Sequence, residues 1–271
     1  HEDEAMAFLE QAFTAVDCIV EQVPLPEHLP LDPEYNSIVS DISYAGRYNL
    51  RVVPQRGDTR TEAPRIICNA HVDVVPPSPG MEHAWEPTVD RATVYGRGAC
   101  DDKGSIAALY LLAQLIEPAS ARVEFHLVAE EENGGNGSLA MAREKPTADA
   151  CVVLEPTGLR VCPEVRGAVW FSAEFRGRAG HSGQPGASRS ALLDAVAAIS
   201  ELQAYHQKLT RLPRESSLFD RFANPAPLTI GRFEAGTWPA TAPDRALLQG
   251  VLGFLPQHDR DEICSEITAM I

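Results

Sequence analysis

Four short segments carry groups that could hold a cation or move a proton: His71 and Asp73 in "NAHVDVV", Asp101 and Asp102 in "GRGACDDKGS", Glu130, Glu131 and Glu132 in "LVAEEENGG", and Glu155 in "VVLEPTG". Together they supply one imidazole and seven carboxylates. Taken singly, each has an ordinary structural explanation. An acidic pair at a helix mouth meets the positive end of the helix dipole. A glutamate triplet is usually a solvated loop, a strand-end histidine a hydrogen-bonded core residue, and a Glu before Pro156 a strand terminator. Gathered on one rim, however, seven unpaired carboxylates repel one another, and burying any of them without a partner costs several kcal/mol. Lys103 is the only lysine within these segments, so a bound divalent cation is the economical way to balance the charge. Imidazole and carboxylate without thiolate suit Zn²⁺, with Mn²⁺ or Co²⁺ as substitutes.

The elements around these segments predict why they would meet. Residues 3–22 read as an amphipathic helix followed by the proline-rich connector "PLPEHLPLDP". Strand-like runs at "YNLRVVPQ", "RIICNAHVDVV", "RVEFHLVAE" and "ACVVLEP" alternate with helical stretches at 104–116 and 136–144. That alternation predicts an α/β domain with a mostly parallel sheet and helices on both faces. In such sheets functional side chains gather at the carboxyl ends of strands, where all four segments lie. Beyond about residue 165 the order becomes strand, helix, strand, strand, helix. A ferredoxin-like unit would need one more strand. The expected domains are therefore 1–165, holding the metal site, and 166–271.

Composition removes several classes. A formal charge of −15 argues against nucleic acid or an anionic membrane as partner. The six cysteines form no C-x-x-C pair and are too dilute for a disulfide scaffold, which fits reduced thiols in a cytoplasm. No apolar run approaches the roughly 20 residues of a membrane span, and no cleavable leader is apparent; the first residue is His1, so the start is read as trimmed. "GNGSLA" at 135–140 matches a dinucleotide fingerprint, but three carboxylates at that helix mouth would oppose a pyrophosphate. Neither H-E-x-x-H nor G-x-S-x-G occurs.

With these residues assembled, the sequence resembles the co-catalytic, di-zinc metallopeptidase and deacylase family of acetylornithine deacetylase, succinyl-diaminopimelate desuccinylase, aminoacylase and carboxypeptidase G. The motifs that carry the resemblance are "NAHVDVVPP", "VYGRGACDDKGSIAALYLL", "LVAEEENGGNGS", "VVLEPTG" and "GRAGHSGQPG", in the family's order. It implies a zinc-peptidase-like catalytic domain with an inserted ferredoxin-like lid and dimerisation domain, two Zn²⁺ per active site, and a likeness to the acetylornithine-deacetylase branch. By the resemblance, Asp101 bridges the metals, His71 and Glu155 complete one site, and Glu132 belongs to the other. Asp73 holds His71 in its ligating tautomer. Asp102 contributes its backbone more than its charge, after a cis peptide. Glu131 is the general base, and His181 helps hold the oxyanion, often in the partner subunit of a homodimer.

The expected activity is hydrolysis of an amide bond in an N-acyl amino acid or small peptide. The alternative is a metal-binding member of the family with a binding or regulatory role. Two departures accompany the resemblance. The family's second site takes a further histidine from a C-terminal segment, and His206 and His258 stand in no comparable setting, so the chain is read as an inactive fragment with a truncated lid. Many relatives also carry an arginine in the last lid strand, where Gly253 and Phe254 stand here.

Overall fold

The computed structural model describes residues 2–271 except 38, 40, 41, 57–61, 117–120, 182, 184 and 185. The chain divides into two compact units, His1–Arg160 and Val161–Ile271.

The first unit contains α1 (Asp3–Ala15), β1 (Cys18–Pro24), β2 (Tyr48–Pro54), β3 (Arg65–His71), a short hairpin of β4 (Thr88–Asp90) and β5 (Thr93–Tyr95), α2 (Lys103–Leu115), β6 (Arg122–Val128), α3 (Asn136–Arg143) and β7 (Ala150–Val153). The helix expected over 3–22 stops at Ala15, and Cys18–Pro24 is a strand. Asp17 adopts a left-handed backbone (φ 63°) that closes the helix. The β-branched pair Ile19 and Val20 then favours an extended chain, whose Val23 turns inward.

The sheet order is β1-β2-β6-β3-β7. β3 pairs in parallel with both β6 and β7, whereas β2 is antiparallel to β1 and β6. The expectation of a mostly parallel sheet thus applies to the β6-β3-β7 half alone, and the result is a mixed α/β sheet. Side chains alternate across it. One face, with Leu50, Val52, Phe125 and Leu127, packs against Met6 and Phe13 of α1 and Ile106, Leu109 and Ala113 of α2. The Phe13 ring meets Tyr110 and Phe125 edge-on. On the other face Met141 of α3 packs against Val23 and Val128. Each of these large side chains contributes roughly 1.5–3 kcal/mol by leaving water.

The second unit runs β8 (Gly167–Arg176), β9 (Gly180–His181), α4 (Ala191–Arg211), β10 (Leu228–Ala235), β11 (Thr241–Ala242), β12 (Arg245–Phe254) and α5 (Arg260–Met270). β12 lies between β10 and β8 in an antiparallel sheet. Leu202 and Tyr205 of α4, with Ile263 and Ile267 of α5, bury its Ala173, Leu248 and Leu252. At Gly253 a Cβ would lie 3.0–3.1 Å from the Ala226 backbone and the Pro227 carbonyl, so this position admits no longer side chain without a shift. Among the described residues no helix is long and apolar enough to cross a membrane.

Candidate metal centre

Because β6, β3 and β7 run parallel, their carboxyl ends form one rim. His71 ends β3 opposite Val128, the last residue of β6. Val72 then donates its N–H to Val128, and Leu154, just past β7, donates to Asn69. These bonds hold the segments carrying Asp73, Glu131, Glu132 and Glu155 against one another. Asp101 and Asp102 arrive from the turn before α2, and the peptide between them is cis.

His71 is the hub. Its side chain is 1% exposed. Its Nδ1 lies 3.0 Å from the Asp73 carbonyl oxygen, which only accepts, so Nδ1 carries the proton of that bond. Nε2 is thereby turned outward, 2.9 Å from Asp101 Oδ1 and 3.9 Å from Glu155 Oε1. Among the described residues, two sets of ligand atoms converge within 4.8 Å: His71 with Asp101 and Glu132, and His71 with Glu131 and Glu155. Both use the same imidazole. The trio His71, Asp101 and Glu155 is not one of these sets, although each carboxylate reaches Nε2 separately, and Glu131 stands among the ligand-distance groups.

The charges are unbalanced in the direction a cation would correct. Burial pushes the Glu155 carboxyl up to about 7, with Glu131, Asp102 and Asp101 adding repulsion. Glu131 and Glu132 are raised as well, first by burial and then by neighbouring carboxylates. Burial works against a charged His71, but Asp73, Asp101 and Glu131 outweigh it and push the imidazole up to about 10. A buried imidazole facing several strained carboxylates is a donor set that fits a divalent ion.

Asp73 does more than touch His71. Its two carboxylate oxygens each accept a backbone N–H at 3.1 Å, one from Glu131 and the other from Glu132. Burial opposes this charge, yet those bonds and His71 keep Asp73 below its ordinary value. Asp102 is fully buried, and its Oδ2 accepts the backbone N–H of His71 at 3.3 Å. Its carboxylate therefore takes a direct part, beyond the expected backbone contribution. Lys103 donates to the Val72 carbonyl at 2.8 Å.

Glu130 does not belong to the rim. It is 5% exposed and adopts φ 60°, so its side chain turns away from Glu131 and Glu132. Its carboxylate accepts from Arg47 Nη1 and Tyr44 Oη. Glu130 thus leaves the group of rim carboxylates, and the cation that balances it is Arg47. Sequence spacing carried no signal for this, since Arg47 lies 83 residues away.

His181 lies in the second unit, in β9 opposite Thr241, with its Nδ1 accepting from the Gly183 N–H. Ser182, Gln184 and Pro185 of its motif lie outside the described residues. His206, also in that unit, is engaged with the Ala226 carbonyl.

A family model described as "Peptidase family M20/M25/M40" matches residues 67–248. The probable carboxypeptidase of Aspergillus flavus is 30% identical over 214 residues, covering 72% of this chain and 47% of that protein. The probable carboxypeptidase of Ajellomyces dermatitidis is 31% identical over 172 residues, covering 60% and 39%. The chain therefore spans about half the length, or less, of these curated relatives. Among solved structures, the fold resembles the dipeptidase Dug1p of Saccharomyces cerevisiae, with TM-score 0.71, 13% identity, and coverage of 98% of this chain and 66% of that one. It also resembles the metallo-carboxypeptidase Sso-CP2 of Sulfolobus solfataricus, with TM-score 0.69, 16% identity, and coverage of 99% and 70%.

Proposed function

The chain belongs to peptidase family M20/M25/M40, and from that premise we propose that the complete protein is a metal-dependent hydrolase of the amide bond in small peptides or N-acyl amino acids. The observation that carries this reading is the convergence of Asp101, Glu131, Glu132 and Glu155 on one buried imidazole. The names of the relatives favour a peptide substrate over the acetylornithine-like one.

His71, Asp101, Glu132 and Glu155 would hold two divalent ions, Zn²⁺ first by donor type. Such ions supply Lewis acidity, acidifying water and polarising a carbonyl. Glu131 is the proton carrier. Its raised affinity for a proton, caused first by burial, brings it closer to the value a base needs near neutral pH. It takes a proton from the attacking water and returns it to the leaving amine. Asp73 fixes the imidazole and, through its two amide bonds, the start of the Glu131–Glu132 segment. His181 would help hold the oxyanion in the active site of the partner subunit of a homodimer.

A homodimer formed through the second unit and a cytoplasmic location complete the proposal. An amine-release assay over dipeptides and N-acetyl and N-succinyl amino acids, run on full-length protein loaded with Zn²⁺, tests the activity. Release from at least one substrate is expected; tightly bound metal with no release from any would point instead to a binding role.

A further inference from the structure

We propose that Glu130, Arg47 and Tyr44 form a buried anchor whose task is to position the Glu131–Glu132 pair. The Glu130 carboxylate receives Arg47 Nη1 at 2.7 Å on Oε1, and Tyr44 Oη at 2.6 Å with Asn136 Nδ2 at 3.4 Å on Oε2. Arg47 is itself fixed, since its Nε donates to Glu2 at 2.7 Å and its guanidinium lies 5.5 Å from the Tyr44 ring centroid. The backbone closes on the same point. The Glu130 carbonyl accepts the N–H groups of Gly135 and Asn136, and the Glu131 carbonyl those of Gly134 and Gly135.

This arrangement has a mechanical meaning. A left-handed φ is costly for a residue with a side chain, and here the side chain that causes the cost is held by an ion pair and two further hydrogen bonds. With Glu130 pinned on one side of the turn, the next two N–H groups point to the other side, where Asp73 receives both. Asp73 in turn lies against His71. A continuous set of contacts therefore runs from Arg47, at the entry to β2, to the imidazole of the metal centre. Glu130 belongs to neither set of converging ligand atoms, and Arg47 acts through it; they are positioning residues. Their consequence for metal holding rests on the function proposed above, whereas their effect on the turn does not.

Amide hydrogen exchange separates the two. Arg47→Met leaves a buried charge behind and is expected to destabilise the fold, so the deciding variant is Arg47→Met/Glu130→Gln, in which the pair is neutral. In that protein the Glu131 and Glu132 amides should exchange at least ~10-fold faster than in wild type, while the Phe125–Leu127 amides of β6 keep their protection. Titration with Co²⁺ alone, followed by its visible absorption, should show affinity reduced by ~10-fold or more. Unchanged exchange at Glu131 and Glu132, or an equal loss in β6, would overturn the positioning role. Wild-type protein that binds no Co²⁺ would sink the metal reading, and the amide exchange would still decide the anchor.

Discussion

His71 Nε2 and Asp101 Oδ1 lie 2.9 Å apart, nearer than the 3.9 Å from the same nitrogen to Glu155 Oε1. Asp101 reaches both the imidazole and, through the same set, Glu132. Asp101→Ala should therefore reduce bound Zn²⁺, measured by elemental analysis after dialysis, to well under one ion per chain. Two retained ions would show that the bridge lies elsewhere.

Glu131→Gln tests the proton carrier. In full-length protein, turnover should fall by at least ~10²-fold, the usual loss on removing a general base. Metal content should stay at the wild-type level. Metal lost together with activity would make Glu131 a ligand, which its place beside His71 and Glu155 also allows geometrically.

One imidazole serves both converging sets, so the two positions cannot be equally well furnished by these residues. The 271-residue chain should retain at most one tightly held Zn²⁺ per molecule. Saturating Zn²⁺ should raise its unfolding temperature and a chelator should reverse the gain, because an ion at 100 times its Kd adds about 2.7 kcal/mol to the folded state. No thermal shift at any Zn²⁺ concentration would contradict the site.

A different carboxylate links the stability of the fold to acid pH. Glu124 is buried in β6, bonded to His126 and to Arg65. Burial opposes its charge, but His126 and Arg65 outweigh this and bring it from 4.5 down to about 2. A depressed carboxylate contributes stability that is fully present above its unfolded pKa and is lost as pH falls through the folded value. Urea melts should show stability falling from pH 4.5 towards 2, by on the order of 2 kcal/mol from this group. Glu124→Gln should flatten that slope and lower stability at pH 7, because Arg65 loses its partner. An unaltered slope would assign the acid sensitivity to other groups.

Gly137 offers a steric test. A Cβ there would sit 1.9 Å from the Ala129 carbonyl oxygen, so Gly137→Ala must move α3 away from the end of β6. Although alanine is the better helix former by about 1 kcal/mol, the substitution should destabilise the protein by roughly 1–3 kcal/mol. A raised melting temperature would show that the helix shifts freely.

The strand-end residues were readable in the sequence because strand, turn and helix alternate along the β3–β7 stretch, and parallel strands put their ends together by geometry alone. Boundaries set by single backbone states were not. Asp17 converts an apparently continuous amphipathic run into helix and strand, and an aspartate has no sequence signature for a left-handed φ in that position. Glu130 was indistinguishable from Glu131 and Glu132, since only the fold brings Arg47 and Tyr44 to it. The β4–β5 hairpin, turning at Arg91 with φ 54°, was hidden for the same reason.

The parallel β6-β3-β7 arrangement also fixes when the centre can come into being. β3 pairs with strands that follow it by more than 50 and 80 residues, so its contacts are non-local and must close long loops before any pairing rewards them. Until both pairings exist, His71, Asp101, Glu132 and Glu155 are distant segments of an open chain. A cation held there would thus arrive late, on a finished rim. Refolding measured with Zn²⁺ or with a chelator should proceed at the same rate, with the ion slowing only the return to the unfolded chain.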